Sequence, residues 1–298
     1  MTDQLTFDDP RTRFPKIDPP KRQIQDEPGL QSEMKPTPDM GEATYRGTGR
    51  LTGRKALVTG GDSGIGGATA IAFAREGADV AIVHLPQEQP DADHVLEQIR
   101  AAGRRGVSIP GDLTDAAFCR ELVATANREL GGLDALAIVA GKQITSTDLT
   151  ELPDEQFVET YEVNVFSAFR IVQAAVPLLP PGSTIVLTAS LETYQASPER
   201  IDYASTKAAI NNLGKGMAQQ LAEKGVRVNV VAPGPTWTAL QVSGGIPKEE
   251  IADYGSDTPL GRAAQPAEMA PAYVFFSSPE SSFVVGATLA VNGGTPTP

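Results

Sequence analysis

From Lys55 onward, short apolar runs alternate with helical stretches, and that rhythm leaves few folds open. Ala56–Val58, Val80–Val83, Val107–Ile109, Leu136–Val139, Thr184–Leu187, Val226–Val231 and Leu289–Val291 read as strands. Between them, helical patterns cover about residues 65–76, 93–102, 115–130 and 154–176, and a further one runs from Tyr203 to about 223. Strands that are apolar throughout and separated by helices belong to a parallel sheet covered on both sides. Right-handed crossovers then predict a single α/β domain over 51–298, a doubly wound Rossmann sheet with helices on both faces. The segment 235–265 is rich in Gly, Pro and polar residues and is expected to be a lid over a pocket.

Residues 1–50 differ in character. Prolines at 10, 15, 19, 20, 28, 36 and 38 and alternating charges exclude inner strands and a run of helices. This extension is either a disordered tail or an extended arm laid on the domain or on a neighbouring subunit. Leu30, Met34, Met40 and Tyr45 are the candidate anchors of such an arm.

A chain of 298 residues with 40% hydrophobic content needs no disulfide or metal to hold a core. Its one cysteine, Cys119, reads as a half-buried helical filler and fits a reducing compartment. The net charge of −12 argues against nucleic acid as a partner and is ascribed to solubility. No secretion signal and no membrane-length apolar run are read, so a cytoplasmic setting is expected. His84 and His94 are too far apart for a helical ligand pair, so no metal site is expected.

Thr59-Gly60-Gly61-Asp62-Ser63-Gly64-Ile65-Gly66 falls between the first strand and the first helix. There, glycines permit a tight turn and close backbone approach, and the helix start offers free N–H groups to a pyrophosphate. Asp112, followed by Leu113, follows the third strand and is a candidate for the adenine amino group. NAD sites often carry a carboxylate at the end of the second strand, for the ribose 2′-OH. Here the residues are His84-Leu85-Pro86, with no acid, which tilts the reading toward NADP, with NAD as the alternative.

Tyr203 and Lys207 stand four apart on one helix, and so share a face. A neighbouring ammonium is expected to make the phenol more acidic, so that Tyr203 exchanges a proton with a carbonyl oxygen as hydride moves. Ser190, thirteen residues before Tyr203, follows the fifth strand and is placed to bond the substrate oxygen.

Thr-Gly-x-x-x-Gly-Ile-Gly, Tyr-x-x-x-Lys and that serine resemble the short-chain dehydrogenase/reductase family over about residues 50–294. The resemblance implies a role for Asn164 in kinking a helix and holding a water of the proton relay. It implies contacts of Pro233-Gly234 and Thr238 with the nicotinamide amide, and of Lys207 with the nicotinamide ribose. Asn292-Gly293-Gly294 resembles the family's usual carboxyl end. It also implies a homotetramer acting on a small carbonyl or alcohol substrate. The proline-rich leader and Gly-Gly-Asp-Ser-Gly-Ile-Gly resemble a subgroup of NADP-dependent aldehyde reductases and glucose or ribitol dehydrogenase-like proteins.

Two departures stand out. Ile138-Val139-Ala140-Gly141 replaces the family's Asn-Asn-Ala-Gly, which is expected to leave backbone groups near the cofactor without a brace. Gly67 stands where the subgroup often has Arg and is expected to weaken the helix start slightly. Trp237 is read as a pocket wall or as lid packing. Tyr194 and Gln195 are read as pocket lining, and Glu192 either selects a polar substrate or is solvated. The expected activity is reversible reduction of a small aldehyde or ketone to its alcohol. The rivals are a cofactor-binding sensor without turnover and a dedicated sugar or polyol dehydrogenase.

Overall fold

The computed structural model describes residues 3–17, 23–247 and 249–298; Pro19 and Pro20 of the leader lie outside these. The strands are β1 (Lys55–Thr59), β2 (Asp79–His84), β3 (Gly106–Pro110), β4 (Ala135–Ile138), β5 (Thr184–Thr188), β6 (Arg227–Pro233) and β7 (Thr288–Val291). The helices are α1 (Gly64–Arg75), α2 (Gln89–Ala101), α3 (Ala116–Leu130), α4 (Asp154–Tyr161), α5 (Ser167–Ala175), α6 (Ile201–Ala222) and α7 (Pro266–Ser277). Among the described residues the strands form one sheet in the order β3-β2-β1-β4-β5-β6-β7. Every pairing is parallel, with Ala56 level with Val80 on one side and Ala135 on the other.

Alternation along the strands splits the core in two. Ala56 and Val58 enter the cluster under α1, α2 and α7, while Leu57 enters the one under α3, α5 and α6. Both faces are covered, which is why β2 is buried at all six positions. Strand order reverses between β1 and β4. The loops that follow these two strands part there and open a crevice.

Two helical features differ from the sequence reading. The region 154–176 is broken by a π-helical turn, Glu162–Phe166, between α4 and α5. Such a turn re-aims a side chain out of the regular helical face, here Asn164. α7 was not legible, because Pro266 and Pro271 interrupt it and its residues are apolar nearly all round. It is nonetheless a buried helix against α1, started by Pro266 in its first turn and by Glu268, which accepts from the Gln265 backbone N–H.

The described residues of the leader pack on the sheet domain of the same chain. Met40, Tyr45 and Leu51 join the first core cluster, and Met34 packs with Trp237 in a third. A Cβ on Gly67 would collide with Met40 Sδ, so this departure from the subgroup makes room for the leader. Glu76, at the end of α1, is a hub for the segment. It accepts from Tyr45 Oη at 2.8 Å, Thr48 N at 2.8 Å, Arg50 N at 3.0 Å and Arg50 Nη2 at 2.6 Å. Burial pushes its carboxyl up, but the Arg50, Thr48 and Tyr45 bonds outweigh this and hold it at about 2.

A carboxylate held below its unfolded value stabilises fully above about pH 4.5, and that stability is lost as pH falls through about 2. Glu76→Gln is therefore expected to cost about 2–3 kcal/mol at pH 7 in denaturant unfolding. The difference between variant and wild type should shrink steadily below pH 4.5.

Candidate active site

Thr59 ends β1 and begins the glycine loop. At Gly66 an added Cβ would collide with the Gly60 carbonyl, so backbone meets backbone directly beneath the loop. Gly60 itself packs 3.0 Å from Ala140 Cα by the same measure, which brings the loops after β1 and β4 together. Thr59 also answers the missing asparagine brace. Its Oγ1 accepts from Val139 N at 3.0 Å and Ala140 N at 3.1 Å, and its carbonyl accepts from Ala140 N. Ile138 is buried in apolar surroundings. The departure at Ile138-Val139 therefore leaves these two N–H groups paired, contrary to expectation.

A cavity of about 640 Å³ runs from this loop to α6. At one end its wall holds Gly60, Asp62, Ser63, Gly64, Ile65, Gly66, His84, Leu85, Asp112 and Leu113. Toward the other lie Ala140, Gly141, Ser190, Tyr203, Lys207, Pro233, Gly234 and Thr238. Of the residues singled out in the sequence for proton chemistry, only Asn164 stands behind the wall. Its Oδ1 accepts from Lys142 N at 2.7 Å, and its Nδ2 donates to Lys142 O at 2.9 Å and Thr206 Oγ1 at 3.0 Å. The π turn holds it there beside Gly141 and so close to Lys207 Nζ.

Ser190, just past β5, begins the short turn Leu191–Thr193 and accepts from Glu192 N. Lys207 is 3% exposed, its Nζ lying 5.3 Å from the Tyr203 ring centroid and donating to Thr188 O at 3.1 Å. Burial drives this ammonium down to about 8, while Glu192 pulls the other way. The Tyr203 phenol is pushed above its ordinary range, chiefly by burial and then by the Glu192 charge; Ser190 and Arg200 oppose the shift. This corrects the expectation that Lys207 acidifies the phenol. The ammonium sits on the ring face and donates a hydrogen bond to the Thr188 carbonyl, and desolvation outweighs what attraction remains. The phenol is thus protonated at neutral pH, which is the form that can donate.

The end near β2 holds Asp62 and a second acid, Glu88, that the sequence reading overlooked. His84 is buried between Leu85 O and Ser108 Oγ, and burial lowers its pKa. Glu88, four residues on, reaches the wall from the turn Pro86–Glu88 and accepts from Leu85 N at 2.7 Å. Asp62 is buried, and its Oδ2 has no partner. Burial, with the Asp91 charge adding to it against a Ser63 bond, pushes Asp62 up to about 6; burial, then the Asp62 and Asp91 charges, push Glu88 up to about 8. Acids from other positions therefore border this end of the cavity. Asp112 is engaged within its own turn, accepting from Thr114 N.

From the segment 235–265, Pro235, Thr236, Thr238, Gln241, Ser243 and Tyr254 among others line the cavity. Trp237 is fully buried in packing with Met34, and its Nε1 donates to Pro36 O, so it packs the lid and does not line the pocket. Gln195 lines the cavity, whereas Tyr194 packs on the second core cluster. Glu192 is ion-paired with Arg200 at 2.8 Å, and its buried Oε2 has no partner. Tyr254, Gln143 and Arg200 complete this end; no spacing or motif marked them. Cys119 is buried, donates to Leu113 O and is driven up to about 11, in keeping with a filler. Among the described residues no cluster of three or more His, Cys, Asp or Glu is placed to hold a metal ion. None of their helices is long and apolar enough to cross a membrane.

The close-packed glycine loop and the helix start behind it fit the pyrophosphate of a dinucleotide, and the unpartnered Asp62 Oδ2 fits a hydroxyl donor beside it. The sequence model of a family described as Enoyl-(Acyl carrier protein) reductase matches residues 60–296. YhxD of Bacillus subtilis, named an uncharacterized oxidoreductase, is 57% identical over 92% of this chain and 93% of its own. An Arabidopsis thaliana protein named NADPH-dependent aldehyde reductase 1, chloroplastic, is 36% identical over 92% of this chain and 97% of its own. A short-chain dehydrogenase of Burkholderia cenocepacia, solved in complex with NADP, superposes with a TM-score of 0.76 at 33% identity. It covers 82% of this chain and 98% of that one. The chain belongs to the short-chain dehydrogenase/reductase family, and it is an NAD(P)-dependent oxidoreductase of that family.

Proposed function

We propose that this chain reduces a small polar aldehyde or ketone to its alcohol, and runs the reverse reaction, with NADP(H) preferred and NAD also accepted. The observation that carries this reading is the meeting of Ser190, Tyr203 and Lys207 in one cavity with the glycine loop. When bound, the nicotinamide supplies the hydride for reduction or takes it for oxidation. Tyr203, protonated, gives its proton to the carbonyl oxygen in the reductive direction, and Ser190 holds that oxygen by its hydroxyl. Lys207 brings positive charge to the phenol's surroundings and offers its remaining N–H groups to the nicotinamide ribose. Asn164 Oδ1 and Lys207 Nζ both border Gly141, which supports a water-borne path bringing a replacement proton to Lys207. Pro233, Gly234 and Thr238 hold the carboxamide.

A polar substrate is supported by Glu192. Its buried, unpartnered Oε2 is costly to leave bare, and a substrate hydroxyl would satisfy it. Aldehydes and ketones bearing hydroxyls, sugars and polyols among them, are therefore favoured over purely apolar ones. The NADP preference rests on the Arabidopsis relative and the Burkholderia complex.

Two separate apolar surfaces support a homotetramer. One lies on α4 and α5, with Phe157, Val158, Phe166 and Phe169 exposed; the other holds Phe283, fully exposed, with Val285 and Leu289. Two distinct faces on each subunit are what a dihedral tetramer uses. The single buried, unpaired Cys119 is compatible with a cytoplasmic setting.

Tyr203→Phe is expected to lower turnover by about 10³-fold or more on every active compound, while calorimetric affinity for NADPH stays within about threefold. The test panel is short aldehydes, hydroxyaldehydes, sugars and polyols, followed by reduced-nicotinamide absorbance. Near wild-type turnover in the variant would refute the role of Tyr203. Binding without turnover on the whole panel would favour the sensor.

A second prediction concerns pH. The acid pair Asp62 and Glu88 titrates between about 6 and about 8, faced by Asp91 and by the buried His84. Below this window the carboxyls are neutral and can donate to a 2′-phosphate; above it they are anions and repel one. The Kd of NADP⁺ relative to that of NAD⁺ should rise about tenfold from pH 6 to pH 9, a 1.4 kcal/mol effect. Glu88→Gln should flatten the trend; an equal trend in wild type and variant would show that this pair plays no part.

A further inference from the structure

The leader touches four walls of the cofactor cleft within a dozen residues. Gln25 N donates to Val242 O in the lid at 2.9 Å. Glu27 pairs with Lys142, on the loop after β4, through both carboxylate oxygens at 2.8 Å. Glu27 and Pro28 themselves line the cavity. Gly29 adopts φ 78° and lies so close to Ser243 and the Ala239 carbonyl that a side chain would be both strained and crowded. Gln31 is buried, and its Oε1 accepts from Gly64 N at 2.8 Å. Asp91, in the first turn of α2, accepts from Gln31 N at 2.6 Å and Ser32 N at 3.1 Å. The Trp237 bond to Pro36 O ties the far end back to the lid.

Gly64 N is the first free N–H of α1. Ser63 occupies the N-cap position, but its side chain makes no cap bond. Gln31 supplies that bond from thirty-three residues upstream. The glycine loop is therefore shaped by a residue outside the Rossmann domain, and that residue is itself locked by Asp91. Glu27 and Lys142 meet at the rim of the cavity, where Lys142 also approaches Glu159 at 3.3 Å.

We propose that the leader is a working part of the dinucleotide site, in which Gln31 is a positioning residue for the phosphate loop and the Glu27–Lys142 pair latches the cleft over bound cofactor. This rests on the dinucleotide reading above. With Gln31 in place the loop is ordered before the ligand arrives, so less ordering is left for binding to accomplish. With the latch closed, dissociation requires Glu27 to leave Lys142 first.

The test uses the full chain with NADPH and NADH as probes. Gln31→Ala is expected to raise the calorimetric Kd for NADPH about tenfold, with the effect falling on cofactor KM rather than on kcat. Glu27→Gln, on the exposed rim, is expected to speed NADPH release about three- to tenfold in stopped-flow fluorescence. If Gln31→Ala does not fold, as judged by thermal melting, the release rate of Glu27→Gln decides alone. Folded variants that keep the wild-type Kd and release rate overturn the inference while the dinucleotide reading stands. A wild-type protein that binds neither NADPH nor NADH overturns both.

Discussion

A lysine ammonium held out of water by one backbone carbonyl is the constraint around which the site is built. Lys207 reaches Thr188 O from α6, so it can be there only if β5 and α6 are in register. Burial of that charge is unfavourable in itself and drives it toward neutrality. The same burial keeps the Tyr203 phenol protonated. Two groups of nearly equal acidity in water are thus moved apart, the ammonium becoming the stronger acid and the phenol the weaker. A Tyr203 phenolate left after proton donation is then readily reprotonated from the Lys207 side. Such a site is destabilising to the fold and useful to the reaction.

Packing on both faces of the sheet offsets this, and the leader adds to the far one. α1, α2 and α7 pack one apolar face, and the leader adds Met40, Tyr45 and Leu51 to it. Glu76 fastens the leader at the carboxyl end of α1, and Gln31 fastens it at the amino end. One helix therefore carries the leader on both termini, and the start of that helix is also the phosphate seat. Leader and cofactor loop are joined through a rigid element, which is how a segment outside the sheet comes to bear on the site.

Much of this was legible from the residues alone. Apolar strand runs gave the sheet, and motif spacing brought the glycine loop, Ser190, Tyr203 and Lys207 to one cavity. What was missed has physical reasons. α7 carries prolines and no polar face, so the helical period that marks a half-exposed helix is absent. Glu88 and Gln31 act across distances that no local pattern encodes. Thr59 reads as a strand residue, and only the packing of β1 against β4 turns its hydroxyl into the brace for Val139 and Ala140. The phenol's acidity was misjudged because a four-residue spacing gives proximity but says nothing of desolvation.

The most direct measurement is the acidity of the Tyr203 phenol itself, read as phenolate absorbance in wild type minus Tyr203→Phe across pH, with and without NADP⁺. In the free protein the difference signal should appear only above about pH 10, the ordinary range of a phenol. Bound NADP⁺, bringing a cationic ring to the same cavity, should shift it down by about two units or more. A phenol that titrates at the same pH in both states, or one already ionised near neutrality without cofactor, would contradict the proton-transfer role assigned to this pair.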